Sequence, residues 1–201
     1  TYPSLKEYTS EVWDTKVRYR GLGAVLAGIE SGACEIRPLV ESARLNHILG
    51  DTGKKNIHGE IVQRLDSVGS DIFIRTLSDT GTVAAIGSEE NNDPVIVGNS
   101  RKHSYLVQTD PIDGSSNIDV AVSIGSIFGI WHRGHGDLVT EESLMRPGNE
   151  QVAAAYVLYG TSTVMVVAVE GSVQGFTLDT TKKMFRLTHP DIRIPDRCQY
   201  Y

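Results

Sequence analysis

The sequence predicts an α+β fold in which N-terminal helices pack on a largely antiparallel β-sheet. Three observations predict it. The first third is rich in Ala, Val and Leu and almost free of proline. Residues 60–77 carry apolar stripes at helical spacing. From Val83 onward, short apolar runs alternate with turns bearing Gly, Asp and Asn, the pattern of adjacent strands rather than of strand–helix repeats.

Taken in order, residues 12–30 read as a helix. Residues 36–49 continue after Gly32 as a second, with Pro38 in a first turn, where its missing N–H does no harm. Gly50-Asp51-Thr52-Gly53 reads as a loop. In 60–77, Ile61, Leu65, Val68 and Ile72 make one apolar stripe, and Val62, Gly69, Phe73 and Leu77 a second. Asp66 falls on the second stripe, a carboxylate among apolar neighbours. Strands are predicted at 83–86, 94–97, 105–108 and 122–131, and 132–137 as a loop. A meander follows at 151–159, 163–169, 173–178 and 184–187, turning at Gly160-Thr161, Glu170-Gly171 and Asp179-Thr180.

The 201 residues suffice for one sizeable domain. A formal charge of −6 argues against non-specific nucleic-acid binding, which calls for a basic face. No run of eighteen uncharged apolar residues predicts a membrane span, and the polar first ten residues do not read as a signal peptide. Cys34 and Cys198 match no zinc or redox spacing and read as unpaired thiols of a reducing compartment. Trp13 and Trp131 read as packing residues. Of the six histidines, His132 and His135 alone have metal spacing, in a glycine-bearing loop.

The chemistry concentrates in two turns. Tyr105-Leu106-Val107 leads into Thr109-Asp110-Pro111-Ile112-Asp113-Gly114-Ser115-Ser116, and Val83-Ala84-Ala85-Ile86 into Ser88-Glu89-Glu90. Asp110 and Asp113 offer hard oxygen ligands suited to Mg²⁺ or Mn²⁺. Gly114 lets the backbone approach a ligand, and successive N–H groups in such a turn cradle an anion. Read singly, each piece is a solvated loop, an ordinary turn or a helix flank. Together they place four carboxylates beyond two strand ends. Two like charges about 4 Å apart cost on the order of 4 kcal/mol at an effective dielectric near 20, so the cluster must protonate or hold cations.

The segment from Asp110 to Asp119 reproduces the core motif of the class 1 fructose-1,6-bisphosphatases, with Ile112 where the family has leucine. Ser88-Glu89-Glu90 also resembles that family, as do the stretches at 123–130, 152–160 and 175–179. The similarity runs from about residue 33 to about 195. The resemblance implies a layered α/β sandwich whose C-terminal domain is missing here, with residues 1–195 as the N-terminal domain and 196–201 starting the connection.

It further implies Mg²⁺-dependent hydrolysis of the 1-phosphate of fructose 1,6-bisphosphate, with Mn²⁺ or Zn²⁺ as substitutes. Glu89, Asp110 and Asp113 would be direct ligands, with the Ile112 carbonyl beside them. Glu90, also near the metals, would form with Asp66 the dyad that activates water. Glu60 stands where the family has an aspartate near the metals. Asp113, Gly114, Ser115 and Ser116 would hold the phosphate. A cytoplasmic homotetramer acting on a sugar bisphosphate is implied, without nucleic-acid or membrane partners. In AMP-inhibited relatives a Lys-Tyr pair opens one strand and an Arg closes the next; Ser104-Tyr105 and His132 stand there, predicting weak AMP inhibition. A sedoheptulose bisphosphatase or another lithium-sensitive sugar or inositol phosphatase is the alternative within this chemistry, and residues 115–119 tell against it. A non-catalytic metal-binding or assembly piece is the alternative of another class.

Overall fold

The computed structural model describes residues 2–43, 45, 51–55, 61–134 and 138–197. The chain opens with α1 (Leu5–Tyr8), held by a reciprocal cap in which Ser4 and Glu7 each accept the other's backbone N–H. A π-helical turn, Thr9–Trp13, and a 3₁₀ turn, Val17–Tyr19, follow. The helix predicted over 12–30 is therefore broken before α2 (Leu22–Glu41). Gly21, at φ +90°, takes a conformation that ordinary residues avoid. Asp14 Oδ1 accepts the N–H groups of Gly21 at 3.0 Å and Gly23 at 3.2 Å, placing a carboxylate at the positive end of α2. Asp14→Ala should lower stability by about 1–2 kcal/mol, read as a lower midpoint in thermal denaturation.

α2 then runs unbroken through Gly32, so one helix ending at Glu41 replaces the predicted start of a second. Gly32 marks a contact, not a break. A Cβ there would lie 2.5 Å from the Phe73 ring, closer than any side chain can come. Pro38 sits near the end of α2 rather than in a first turn, and its carbonyl accepts the Ser42 N–H at 3.2 Å.

Residues 51–53, predicted as loop, belong to β1 (Asp51–Lys55), which pairs antiparallel with β2 (Ile61–Gln63). That pairing takes up the residues predicted to open the next helix, and α3 begins later, spanning Arg64–Ser78. Its buried face carries Leu65, Asp66, Gly69, Phe73 and Leu77.

The remaining strands are β3 (Val83–Ser88), β4 (Val95–Ile96), β5 (Tyr105–Asp113), β6 (Ile124–His132), β7 (Ala153–Tyr159), β8 (Thr163–Val169), β9 (Ser172–Asp179) and β10 (Met184–His189). They form one eight-stranded sheet in the order β10-β9-β8-β7-β6-β5-β3-β4. Every neighbouring pair is antiparallel except β3 and β5, which are parallel. The predicted α+β arrangement is what forms. β5 runs to Asp113, five residues further than predicted, which puts the two aspartates on the strand itself.

The main core lies between the helices and one face of the sheet. Phe73 of α3 meets Phe128 of β6 edge-on, with ring centroids 4.8 Å apart. A smaller cluster of Leu106, Trp131, Val139 and Leu144 covers part of the other face. Both tryptophans are buried as expected, and the Trp131 indole N–H donates to the Pro147 carbonyl at 2.9 Å. Cys34 is a half-buried free thiol whose pKa burial pushes up to about 11; Cys198 lies outside the described residues. No helix among the described residues is long and apolar enough to cross a membrane.

Candidate active site

Parallel pairing sets two carboxyl-terminal strand ends side by side. The register of β3 on β5 ends at Ser88 opposite Thr109, and one further bond, from the Glu89 N–H to the Thr109 carbonyl at 3.0 Å, carries the pairing past the strand end. Glu89 is thereby held beside Asp110, as sequence reasoning required of two neighbouring turns.

A bulge then decides where Asp113 points. Residues three apart on a regular strand face opposite sides, because side chains alternate. Against β6, however, Asp110 pairs with Ile127 and Asp113 with Gly125, so Pro111 and Ile112 together oppose Ser126. Two residues opposite one reset the alternation. The switch is visible in the packing. Tyr105 and Val107 join the core under the helices and Leu106 joins the opposite cluster, yet Ile112 returns to the helix side. Asp113 consequently shares the side of Asp110.

The three acids interact. Burial, then the charges of Glu89 and Asp113, and a side-chain hydrogen bond with Glu89 push the Asp110 pKa from the ordinary 3.8 up to about 7. Ile112 N–H donates to Asp110 Oδ1 at 3.2 Å, which partly opposes the shift. The folded state therefore binds an extra proton relative to the unfolded chain between about pH 4 and pH 7. Stability from this group is full below that window and is lost as pH rises through it. The metal-free protein should show a falling thermal midpoint from pH 5 to pH 8, and millimolar Mg²⁺ at pH 8 should recover it.

α3 closes the site from the helix side. Asp66, in its first turn and 5% exposed, accepts the Ser115 hydroxyl on Oδ2 at 3.2 Å. Gly69 rides directly on the bulge, where a Cβ would lie 2.7 Å from Ile112 Cγ1. Ser70 Oγ lies 2.7 Å from Ser88 Oγ and donates to Asn91 Oδ1 at 2.8 Å, fastening α3 to the end of β3 and to the turn holding Glu89 and the half-buried Glu90. Beyond the bulge, Gly114 turns at φ +81° into a 3₁₀ turn, Ser115–Val120. Ser115 is half-buried and Ser116 exposed.

The structure thus brings Glu89, Asp110 and Asp113 together and sets Ser115 against Asp66. Glu60 and His135 lie outside the described residues. Among the described residues, no three His, Cys, Asp or Glu side chains already stand in a ligand shell. The donor chemistry nevertheless fits a hard divalent cation, because Glu89 and Asp113 lie close enough to Asp110 for their charges to act on it, and Asp110 can keep a proton that a cation would replace. Sequence reasoning named Ser88 only as the residue before the paired glutamates, and missed that Ser70 and Asn91 join it in fastening α3, since their residue types carry no signal by themselves. Gly69 could have been found, as a glycine on the interior stripe next to Asp66.

Residues 7–190 match the sequence profile of the fructose-1,6-bisphosphatase N-terminal domain. The chain belongs to the fructose-1,6-bisphosphatase family. It is 44% identical over 180 residues to a class 1 fructose-1,6-bisphosphatase of Persephonella marina, covering 90% of this chain and 55% of that protein. To the cytosolic fructose-1,6-bisphosphatase of Brassica napus it is 41% identical over 177 residues, 88% of this chain and 52% of that one. The holo form of Leishmania major fructose-1,6-bisphosphatase superposes with a TM-score of 0.89 at 31% identity, over 98% of this chain and 61% of the other. The chain spans about half the length of the curated relatives it matches.

Proposed function

We propose that this chain carries the metal- and phosphate-holding part of a hydrolase that cleaves the 1-phosphate of fructose 1,6-bisphosphate, yielding fructose 6-phosphate and phosphate. The observation that carries it is the convergence of Glu89, Asp110 and Asp113 at the ends of two parallel strands, on a chain of this family.

Glu89, Asp110, Asp113 and the Ile112 carbonyl would hold Mg²⁺, or Mn²⁺ or Zn²⁺ in its place, with Glu90 and Glu60 completing the acidic surround. A divalent ion there neutralises phosphoryl charge and lowers the pKa of the attacking water. Asp66, fixed by Ser115, and Glu90 would take that water's proton. Gly114, Ser115 and Ser116 would hold the phosphate through backbone N–H groups at the turn after the bulge, with Asp113 at its edge. Residues 1–195 would form the N-terminal domain and 196–201 the start of the connection to the rest. A cytoplasmic homotetramer is the family-based assembly, consistent with the plant relatives named as cytosolic.

Phosphate release from fructose 1,6-bisphosphate, measured with and without Mg²⁺, tests this reading. Release that depends on Mg²⁺ is expected from a longer protein carrying this chain, and silence of that protein under both conditions would overturn the reading; silence of residues 1–201 alone beside activity of the longer protein would support the non-catalytic piece instead.

AMP should act weakly. The Tyr105 ring stacks on His132 with centroids 4.9 Å apart, and its hydroxyl donates to the Arg20 carbonyl at 3.1 Å, so its donor is already used within the chain. Hydrolysis should hold steady as AMP rises to millimolar concentration.

A further inference from the structure

The acidic cluster depends on a bulge, and a bulge leaves backbone groups that the ladder cannot pair. Here one carbonyl of the bulge has a side-chain donor. The Pro111 carbonyl, at the first of the two extra-register residues, accepts the Ser126 hydroxyl at 2.6 Å. Ser126 is the single residue of β6 facing the bulge, and it is completely buried on the helix side of the sheet. Its oxygen lies 3.0 Å from the hydroxyl of Tyr159 on β7, itself only 5% exposed. A carbonyl can only accept, so the chain of donors runs one way: Tyr159 O–H to Ser126 Oγ, and Ser126 O–H to Pro111 C=O.

We propose that Ser126 and Tyr159 are positioning residues that hold the bulge in the register placing Asp113 on the side of Asp110, and so set the site's affinity for a divalent cation. This rests on the metal-dependent reading above. Neither residue touches the acids. Their leverage comes through the backbone. Without the hydroxyl, a buried carbonyl loses its partner, and the peptide gains by rotating toward any other donor. The two aspartates hang on either side of that peptide, Asp110 immediately before Pro111 and Asp113 immediately after Ile112. A buried serine also has a small-residue alternative reading, simple packing in the interior of the sheet's core face. That reading gives the hydroxyl no role and treats alanine as equivalent.

The test compares Ser126→Ala, Ser126→Thr and Tyr159→Phe in the full chain, by Mn²⁺ titration and by the Mg²⁺ concentration giving half-maximal hydrolysis. Ser126→Ala should weaken Mn²⁺ binding about tenfold or more and raise the Mg²⁺ half-saturation in step, as losses of supporting hydrogen bonds around metal sites do. Ser126→Thr keeps the hydroxyl and should restore both. Tyr159→Phe, which removes only the outer link, should fall between. A folded Ser126→Ala with unchanged Mn²⁺ affinity would overturn the proposal. Should that variant fail to fold, Tyr159→Phe decides: unchanged Mn²⁺ affinity overturns the proposal and weakened affinity upholds it. The two readings fail separately. If a longer protein carrying this chain binds Mn²⁺ yet releases no phosphate, the proposed reaction falls while the titration still reports on Ser126. An active chain indifferent to the hydroxyl sinks the positioning role alone.

Discussion

Asp110→Asn should reduce fructose 1,6-bisphosphate hydrolysis by about 10²–10³-fold and, in the same protein, raise the thermal midpoint of the metal-free form. The opposite signs follow from one cause. Asp110 is half-buried beside Glu89 and Asp113, and its ionisation is resisted by burial first and by those two charges second. A neutral amide removes the repulsion and keeps an oxygen able to accept the Ile112 N–H. The same amide brings no negative charge to a divalent cation and forfeits the electrostatic clamp on the phosphoryl group. Phosphate release under saturating Mg²⁺ and a melt at pH 8 in chelator measure the two arms. A variant losing activity and stability together would mean that Asp110 serves the fold instead. The variant should also flatten the fall in midpoint between pH 5 and pH 8.

Phe73→Ala is the substitution with the greatest expected cost to folding, about 3–5 kcal/mol, or a midpoint lower by about 10 °C in a chain of this size. Phe73 is fully buried and joins three elements: it fills the space left by Gly32 on α2, stands edge-on to Phe128 of β6, and anchors α3. The cavity opens two helical turns from Asp66, so the Asp66–Ser115 contact should loosen with it. Urea denaturation gives the stability loss. In the folded fraction, kcat should fall while the Mg²⁺ half-saturation stays close to normal, because α3 carries none of Glu89, Asp110 and Asp113.

The meander was legible because its apolar runs and the turn residues between them stand out, although burial within a strand does not follow the letters. Thr163, Met165, Val167 and Val169 of β8 point in while Val164, Val166 and Ala168 are half-exposed, and glycines mark two of the three turns, with Asp179-Thr180 at the third. The N-terminal third was not, because its determinants act across space. Gly32 reads as an interruption until Phe73 of another helix is known to occupy its missing side chain. Asp14 caps a helix nine residues away in sequence, at Gly23, and no local pattern announces that. Within the site, Asp66 announced itself as a charge on an apolar stripe, and Glu89 and Asp110 as acids ending neighbouring strands. The continuation of β5 through both aspartates was hidden. Pro111 and Gly114 are turn residues by preference, and the pairing with β6 overrides the first of them.

The spacing of three between Asp110 and Asp113 has a wider use. Had the strand been regular, ligands reaching one cation would need an even sequence separation. An odd separation on a continuous strand therefore betrays a hidden extra residue, and deleting either Pro111 or Ile112 would leave a regular strand with the second acid still on the side of the first but drawn closer along the chain. Two acids an odd number apart, flanked by unbroken β-formers, can be sought in other chains as a written trace of a kinked metal cradle.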